Sequence, residues 1–78
     1  MNIIILGAGA FGTAIGNSLA VNINNNVVIF STNKQKVDEI NTDNTNKSCF
    51  PNKQLTKRLT ATTNKKDIKN ADIVFVAL

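Results

Sequence analysis

Three closely spaced glycines constrain the fold of this chain more than any other feature of its sequence. Gly7, Gly9 and Gly12 directly follow the unbroken apolar run Ile3–Leu6, and such a run is typical of a strand buried on both faces of a parallel sheet. From residue 11 to about residue 21, apolar residues recur at helical spacing instead. The pattern predicts a buried strand, a tight turn and a helix.

The predicted helix has two distinct stripes. Phe11, Ile15 and Leu19 stand four residues apart and form an apolar stripe. Gly12 and Gly16 are also four apart, and they form a bare stripe on another face. A stripe without side chains would let the helix lie close to a strand.

Three further segments predict the remaining strands. Two are the apolar runs Val27–Phe30 and Ile73–Val76, and the third is the short segment Leu59–Thr63, which is rich in β-branched threonine. After the first of these, Thr32 and Gln35 have the spacing of a capping box, which predicts a helix over residues 34–41. Val37 and Ile40 are expected to form the inner face of that helix.

The order of these elements is that of an α/β fold. Strands and helices alternate, with an irregular segment over residues 41–58 and a single helical turn that begins at Asn64 and ends near residue 70. This order predicts a Rossmann-type doubly wound parallel sheet with right-handed crossovers and helices on both faces. The 78 residues are expected to form one unit of about four strands, the N-terminal portion of a larger sheet.

The composition excludes several kinds of catalytic and metal site. The chain has no histidine and one cysteine, so it lacks a His-based triad and the ligands of a His or Cys-cluster zinc site. Cys49 has no neighbouring general base in the sequence, and we interpret it as a loop thiol rather than a nucleophile. No metal ligand and no catalytic residue are predicted.

Neither a nucleic acid nor a membrane is an expected partner. The net charge is +4, but the basic residues are dispersed over residues 34–69 among acidic ones, and four phenylalanines are the only aromatic residues. The apolar runs are far shorter than the roughly 18 residues of a membrane span, and residues 1–20 lack the basic start of a signal peptide. One cysteine forms no internal disulfide, so a cytoplasmic location is expected.

The glycines fit the pattern G-x-G-x-x-G in the setting that a dinucleotide fingerprint requires, between a buried strand and a helix. In that role Gly7 allows the tight turn, Gly9 lets the backbone approach a pyrophosphate, and Gly12 allows close packing of helix and strand. The pyrophosphate would lie at the helix N-terminus, where free N–H groups favour an anion. The alternative is a tight turn without a ligand. A mononucleotide P-loop is disfavoured because no G-K-[ST] ends the loop.

The end of the second strand leaves the choice between NAD and NADP open. Residues 30–34 contain no acid to bind the adenosine ribose. Ser31, Thr32 and Lys34 could bind a 2′-phosphate, although Thr32 would equally serve as a helix cap and Lys34 as a solvated residue. Phe30 could flank the adenine or be a buried strand residue.

Essentially all 78 residues resemble the N-terminus of NAD(P)-dependent glycerol-3-phosphate dehydrogenases. The segments that carry the resemblance are Ile5–Ala14, Ile40-Asn41, Asn46, Cys49–Pro51, Ala61–Thr63 and Ala71–Ala77. The spacing from Ile40 to Pro51 is the most discriminating part, because related dehydrogenases share the glycine loop but not this spacing. Two departures lie at the adenosine end, where Phe30 replaces the family's usual Trp and Thr32 its usual basic residue.

The resemblance implies cofactor contacts, a reaction and a missing domain. The family's contacts fall on Gly7, Gly9, Ala10, Phe11, Gly12 and Thr32. The implied reaction is hydride transfer between NAD(P)H and dihydroxyacetone phosphate, a small phosphorylated substrate, giving sn-glycerol 3-phosphate for phospholipid synthesis. The family's helical substrate domain and its catalytic lysine, which follows the fourth strand, are expected to be absent from residues 1–78. A family-like homodimer would require that domain.

Two alternatives remain open from the sequence. One is another nicotinamide dehydrogenase of the ketopantoate or 6-phosphogluconate type, against which the spacing from Ile40 to Pro51 argues. The other is a non-catalytic dinucleotide-binding module or a decayed gene fragment, because no catalytic segment is recognised.

Overall fold

A computed structural model describes all residues from 1 to 78 and contains four strands, two α-helices and one 3₁₀ turn. In chain order they are β1 (Asn2–Leu6), α1 (Ala10–Ala20), β2 (Asn26–Phe30), α2 (Lys34–Asp43), β3 (Leu59–Thr62), the 3₁₀ turn (Lys65–Ile68) and β4 (Ile73–Val76). The predicted order of elements is confirmed.

The four strands form one parallel sheet in the order β3-β2-β1-β4. Ile5 at the centre of β1 lies beside Ile29 of β2 on one side and Phe75 of β4 on the other. The chain moves outward from β1 to β2 and β3, then returns across the sheet to β4 on the other side of β1. The α/β Rossmann-type fold is thus confirmed, and its strand order reverses between β1 and β4.

The core lies between one face of the sheet and the two α-helices. Alternate strand residues point into it, and the buried ones are Ile3, Ile5, Val27, Ile29, Leu59 and Ala61. From α2, Val37 and Ile40 are buried against this face, as predicted. Because parallel strands covered by helices remove apolar area from water, this face supplies most of the hydrophobic stabilisation.

The small-residue stripe of α1, rather than its apolar stripe, faces the sheet. A Cβ added to Gly16 would lie 3.2 Å from Leu59 Cδ1, which is tight packing. Ile15 and Leu19 are only half-buried at the margin of the core, and Phe11 is 68% exposed. Helical spacing of apolar residues therefore predicted the helix, whereas close approach of the backbone determined which face is inside.

The second face of the sheet is covered more sparsely than predicted. Asp67 of the 3₁₀ turn lies beside Ile4 and Val28 on this face, and no α-helix packs there. The strand β4 lies at an edge, and its four residues are 36–69% exposed. No helix in the structure has the length and apolarity required to cross a membrane.

The predicted cap of α2 is wrong by one residue. Asn33, not Thr32, is the N-cap, because its side chain accepts a hydrogen bond from the backbone N–H of Lys36. Asparagine is among the best N-caps, so it displaces the neighbouring threonine. Asn64 caps the 3₁₀ turn as predicted.

Candidate functional site

A groove opens at the carboxyl ends of β1, β2 and β4. It has a volume of about 320 Å³ and is lined by Gly7, Ala8, Gly9, Phe30, Ser31, Thr32, Ala77 and Leu78. In open α/β sheets, ligands bind outside the carboxyl ends of the strands where the strand order reverses, and this groove lies at that position. Four of the eight predicted cofactor residues are among its lining residues.

Gly7 and Gly12 are required by the turn itself. Gly7 has φ of 122°, a conformation that side chains rarely adopt, and a Cβ there would lie 2.6 Å from the Ala77 carbonyl oxygen. A Cβ on Gly12 would clash with the carbonyl oxygen of Gly7. Gly7 therefore allows the tight turn and Gly12 allows the close packing of helix and strand, as the pattern predicts.

Gly9 is different, because nothing in the fold requires a glycine there. Its backbone is extended, with φ of −77° and ψ of −172°, and an added Cβ would meet no atom within 4 Å. The space in front of Gly9 is open and belongs to the groove. Glycine is commonly found where a ligand approaches the backbone closely, because it has no side chain in the way. Gly9 fits that role, since the space that a side chain would occupy is open.

The N-terminus of α1 supplies donors for an anion. Gly9 is the N-cap and provides no side-chain hydrogen bond to the first turn. The N–H groups of Ala10, Phe11 and Gly12 consequently have no capping partner, since the first N–H groups of a helix have none within it. The exposed ring of Phe11 is not among the residues that line the groove. The contribution of Ala10, Phe11 and Gly12 to a cofactor site would therefore come from the backbone.

Phe30 and Thr32 line the groove on the side of β2. Phe30 is half-buried at the end of the strand, so both its predicted roles, strand packing and ligand contact, are compatible with its place. The hydroxyl of Thr32 makes no hydrogen bond within the chain, because Asn33 caps the helix. No Asp or Glu side chain lines the groove, so no acidic side chain there would repel a 2′-phosphate.

Lys34 does not line the groove. Its Nζ lies 2.9 Å from an oxygen of Asp38, and the two side chains are 79% and 59% exposed. An ion pair this exposed contributes about 0.2–1 kcal/mol or less, so a phosphate could compete for the ammonium. Binding of a cofactor by Lys34 stays a prediction.

A second cavity lies at the opposite ends of the strands. It has a volume of about 240 Å³, and its lining residues are Asn2, Ile3, Ile4, Asn26, Val28, Asp67, Asn70 and Ala71. No glycine turn and no α-helix N-terminus lines it. The carboxyl-end groove is the better candidate because it combines open space with free backbone donors.

Three side chains that bind the glycine turn on the side away from the groove were not predicted from the sequence. The carbonyl oxygen of Ala8 accepts hydrogen bonds from Asn46, Lys36 and Cys49. Asn46 belongs to the segments that carry the family resemblance, but no role was predicted for it. The chain contains thirteen asparagines, and nothing in the sequence shows that the side chain of Asn46 is buried, so its role could not be predicted.

Comparisons with known proteins point to one family. The model of the family described as NAD-dependent glycerol-3-phosphate dehydrogenase N-terminus matches residues 2–78. Two curated relatives, the NAD(P)+ glycerol-3-phosphate dehydrogenases of Neorickettsia sennetsu and Mesoplasma florum, are each 40% identical over 78 residues. The alignments cover 100% and 99% of this chain but only 23% of either relative.

A solved structure agrees with the sequence comparisons. The crystal structure of glycerol-3-phosphate dehydrogenase from Coxiella burnetii superposes with a TM-score of 0.79 at 26% identity. The match covers 96% of this chain and 23% of that one. The chain therefore spans about a quarter of the length of the proteins that it resembles.

Proposed function

Because this chain belongs to the family of NAD-dependent glycerol-3-phosphate dehydrogenase N-termini, we propose that its groove binds NAD(H) or NADP(H). The pyrophosphate lies against Gly9 and the first turn of α1, and the adenosine extends toward Phe30 and Thr32. The observation that carries the proposal is the open space at Gly9, a glycine that the fold itself does not need. The uncapped N–H groups of α1 provide the matching donors.

Acceptance of both cofactors is supported by the residues at the end of β2. An acid at this place would bind the ribose of NAD and repel the 2′-phosphate of NADP. The groove has none, and the Thr32 hydroxyl is free to donate to a ribose or a phosphate. Thr32 is therefore proposed to lie next to the 2′ position of the adenosine ribose, where NAD has a hydroxyl and NADP a phosphate.

For the whole protein we propose reversible reduction of dihydroxyacetone phosphate to sn-glycerol 3-phosphate, a precursor of phospholipids. When bound, the nicotinamide supplies or accepts the hydride. The residues of this chain bind and orient the pyrophosphate and adenosine. The proton donor and the phosphate pocket for the substrate are assigned to no residue here. A cytoplasmic location is proposed, with which the free thiol of Cys49 is compatible.

Calorimetric titration with NADH and NADPH tests the binding proposal. Gly9→Asp places a negative charge in the space assigned to the pyrophosphate and is expected to weaken the affinity for both by at least about tenfold, or 1.4 kcal/mol. Asn70→Asp adds the same charge beside the other cavity and is expected to leave the affinity within twofold. Equal binding by the parent chain and by Gly9→Asp would refute the proposal, as would the absence of binding by the parent.

A further inference from the structure

One backbone carbonyl in the glycine turn is held by three side chains at once. The Ala8 oxygen lies 2.9 Å from Asn46 Nδ2, 3.3 Å from Lys36 Nζ and 3.9 Å from Cys49 Sγ. All three donors come from α2 or from the segment that follows it. The turn is thus anchored to a part of the chain that does not itself line the groove.

The orientation of this carbonyl determines where a neighbouring N–H group points. Ala8 and Gly9 share a trans peptide unit, in which the C=O and the N–H point in opposite directions. The carbonyl is directed at Asn46, so the N–H of Gly9 is directed away from it. That N–H has no hydrogen-bond partner within the chain, and Gly9 lines the groove whereas Asn46 does not. Holding the carbonyl therefore presents a free donor to the groove.

The structure holds the Asn46 side chain in one orientation. Asn46 is completely buried, and its amide nitrogen also donates to Thr13 Oγ1 at 2.9 Å. Its Oδ1 accepts a hydrogen bond from Ser48 Oγ at 3.2 Å, so the nitrogen rather than the oxygen faces Ala8. Both amide hydrogens therefore form hydrogen bonds, one with the Ala8 carbonyl of the glycine turn and one with the Thr13 hydroxyl of α1.

The segment around Asn46 is fixed to α2 on both sides. Glu39 Oε2 accepts a hydrogen bond from Thr45 Oγ1 at 2.7 Å and another from the backbone N–H of Lys47 at 2.8 Å. These are the two neighbours of Asn46 in the chain. Asn46 is thus held by its own side-chain bonds and by an anchored backbone.

We propose that Asn46 is a positioning residue for the cofactor's pyrophosphate. It holds the Ala8–Gly9 peptide unit with its N–H turned toward the groove, so that this donor is oriented before the pyrophosphate arrives. The inference rests on the proposed dinucleotide site and adds to it a residue that does not touch the cofactor. A donor oriented in advance contributes more to binding than one that must reorient on contact.

The first test compares two asparagines that both donate to a backbone carbonyl. Asn41 Nδ2 donates to the carbonyl of Ala61 at 2.9 Å, which ties α2 to β3 far from the turn. Titration with ADP-ribose, which carries the pyrophosphate and the adenosine, is expected to show at least tenfold weaker binding by Asn46→Leu. The affinity of Asn41→Leu is expected to stay within twofold of the parent. In ¹⁵N-labelled protein without ligand, the Gly9 amide signal is expected to move in Asn46→Leu only.

The second test separates positioning from folding by a pH profile. In Asn46→Asp, a protonated carboxyl can donate to the Ala8 carbonyl as the amide does, whereas a carboxylate cannot. The titratable groups that face this carbonyl are Lys36 and Cys49, with Glu39 behind the flanking residues. Position 46 is completely buried, and desolvation raises the pKa of a carboxyl introduced there, which favours its protonated form as the pH is lowered from 7.5 to 5.5. Glu39 keeps its charge over this range, because its hydrogen bonds from the Thr45 hydroxyl and the Lys47 backbone N–H lower its pKa. The ADP-ribose affinity of Asn46→Asp is therefore expected to rise at least fivefold as the pH is lowered, while that of the parent stays flat.

The outcomes distinguish this inference from the function on which it rests. If the parent chain does not bind ADP-ribose, the proposed dinucleotide site is wrong and the role of Asn46 falls with it. If the parent binds and Asn46→Leu binds equally well, only the positioning role is wrong. If Asn46→Leu does not fold, a flat pH profile for Asn46→Asp overturns the inference and a rising affinity at low pH supports it.

Discussion

Replacing Gly9 by serine is expected to stabilise the fold while weakening the binding of a dinucleotide. Gly9 is the N-cap of α1, with an extended backbone and open space in front of it. Serine is a better N-cap than glycine by a few tenths of a kcal/mol, and a side chain at a compatible position adds about 0.4–1 kcal/mol through the unfolded state. Together these give about 1 kcal/mol, which raises the melting temperature by about 4–8 °C in a chain of this size.

The same substitution removes what the pyrophosphate is proposed to use. The serine hydroxyl accepts a hydrogen bond from an N–H group in the first turn of α1, so that N–H is no longer free for the pyrophosphate. The side chain also fills part of the open space at Gly9. A hydrogen bond to a charged group contributes about 1.5–3 kcal/mol, so the loss of one weakens NADH binding by about 10- to 150-fold. Asn64→Ser, which exchanges one N-cap for another at the 3₁₀ turn, is the control and should leave binding unchanged.

Two assays check the prediction, thermal unfolding by circular dichroism and calorimetric titration with NADH. A Gly9→Ser variant that is at least as stable as the parent and binds NADH equally well would refute the role of these N–H groups. A variant with a lower melting temperature would refute the conclusion that a side chain fits at Gly9.

Three further substitutions test other parts of the structure. Arg58 donates through Nε to the carbonyl of Ala20 at the end of α1, at 2.9 Å, and through Nη2 to two carbonyls of the loop that follows. Because one ammonium group does not span all three, Arg58→Lys should lower the unfolding free energy by about 1–3 kcal/mol in urea titrations. Gly7→Ala should cost at least about 2 kcal/mol in the same assay, because φ is 122° and the new Cβ meets the carbonyl of Ala77. The pKa of Glu39 is lowered by its hydrogen bonds from the Thr45 hydroxyl and the Lys47 backbone N–H, with smaller contributions from nearby lysine charges. The carboxylate therefore stabilises the fold above the usual glutamate pKa, and this stability is lost as the pH falls through the lowered value. The urea midpoint of Glu39→Gln should be below that of the parent at pH 7 and should fall less than the parent's between pH 5 and pH 3.

The sequence predicted the order of the elements because their signals are local. An apolar run such as Val27–Phe30 and the glycine turn at Gly7 each determine a short stretch of backbone without help from the rest of the chain. The position of the glycine turn at the end of the first strand follows from the same local signals. The side of the groove that the glycine turn forms can therefore be located from the sequence alone.

What the sequence did not predict depends on contacts between distant residues. The inner face of α1 was ambiguous because Phe11 and Gly16 lie on different stripes, and only packing against Leu59 selects the bare one. The cap of α2 was misplaced because Thr32 and Asn33 are both good N-caps, and the geometry at the strand end decides between them. The role of Asn46 depends on a contact with Ala8, 38 residues away in the chain.

The most direct test of the dinucleotide site is the response of the backbone amides to ADP-ribose. In ¹⁵N-labelled chain, saturable shifts are expected at Gly9 and through the first turn of α1, with smaller ones at Phe30 and Thr32. The amides around Asn70, beside the other cavity, should not move. A dinucleotide site at the glycine turn would be contradicted if ADP-ribose at millimolar concentration moved none of the amides in that turn, or if the shifts were confined to the neighbourhood of Asn70.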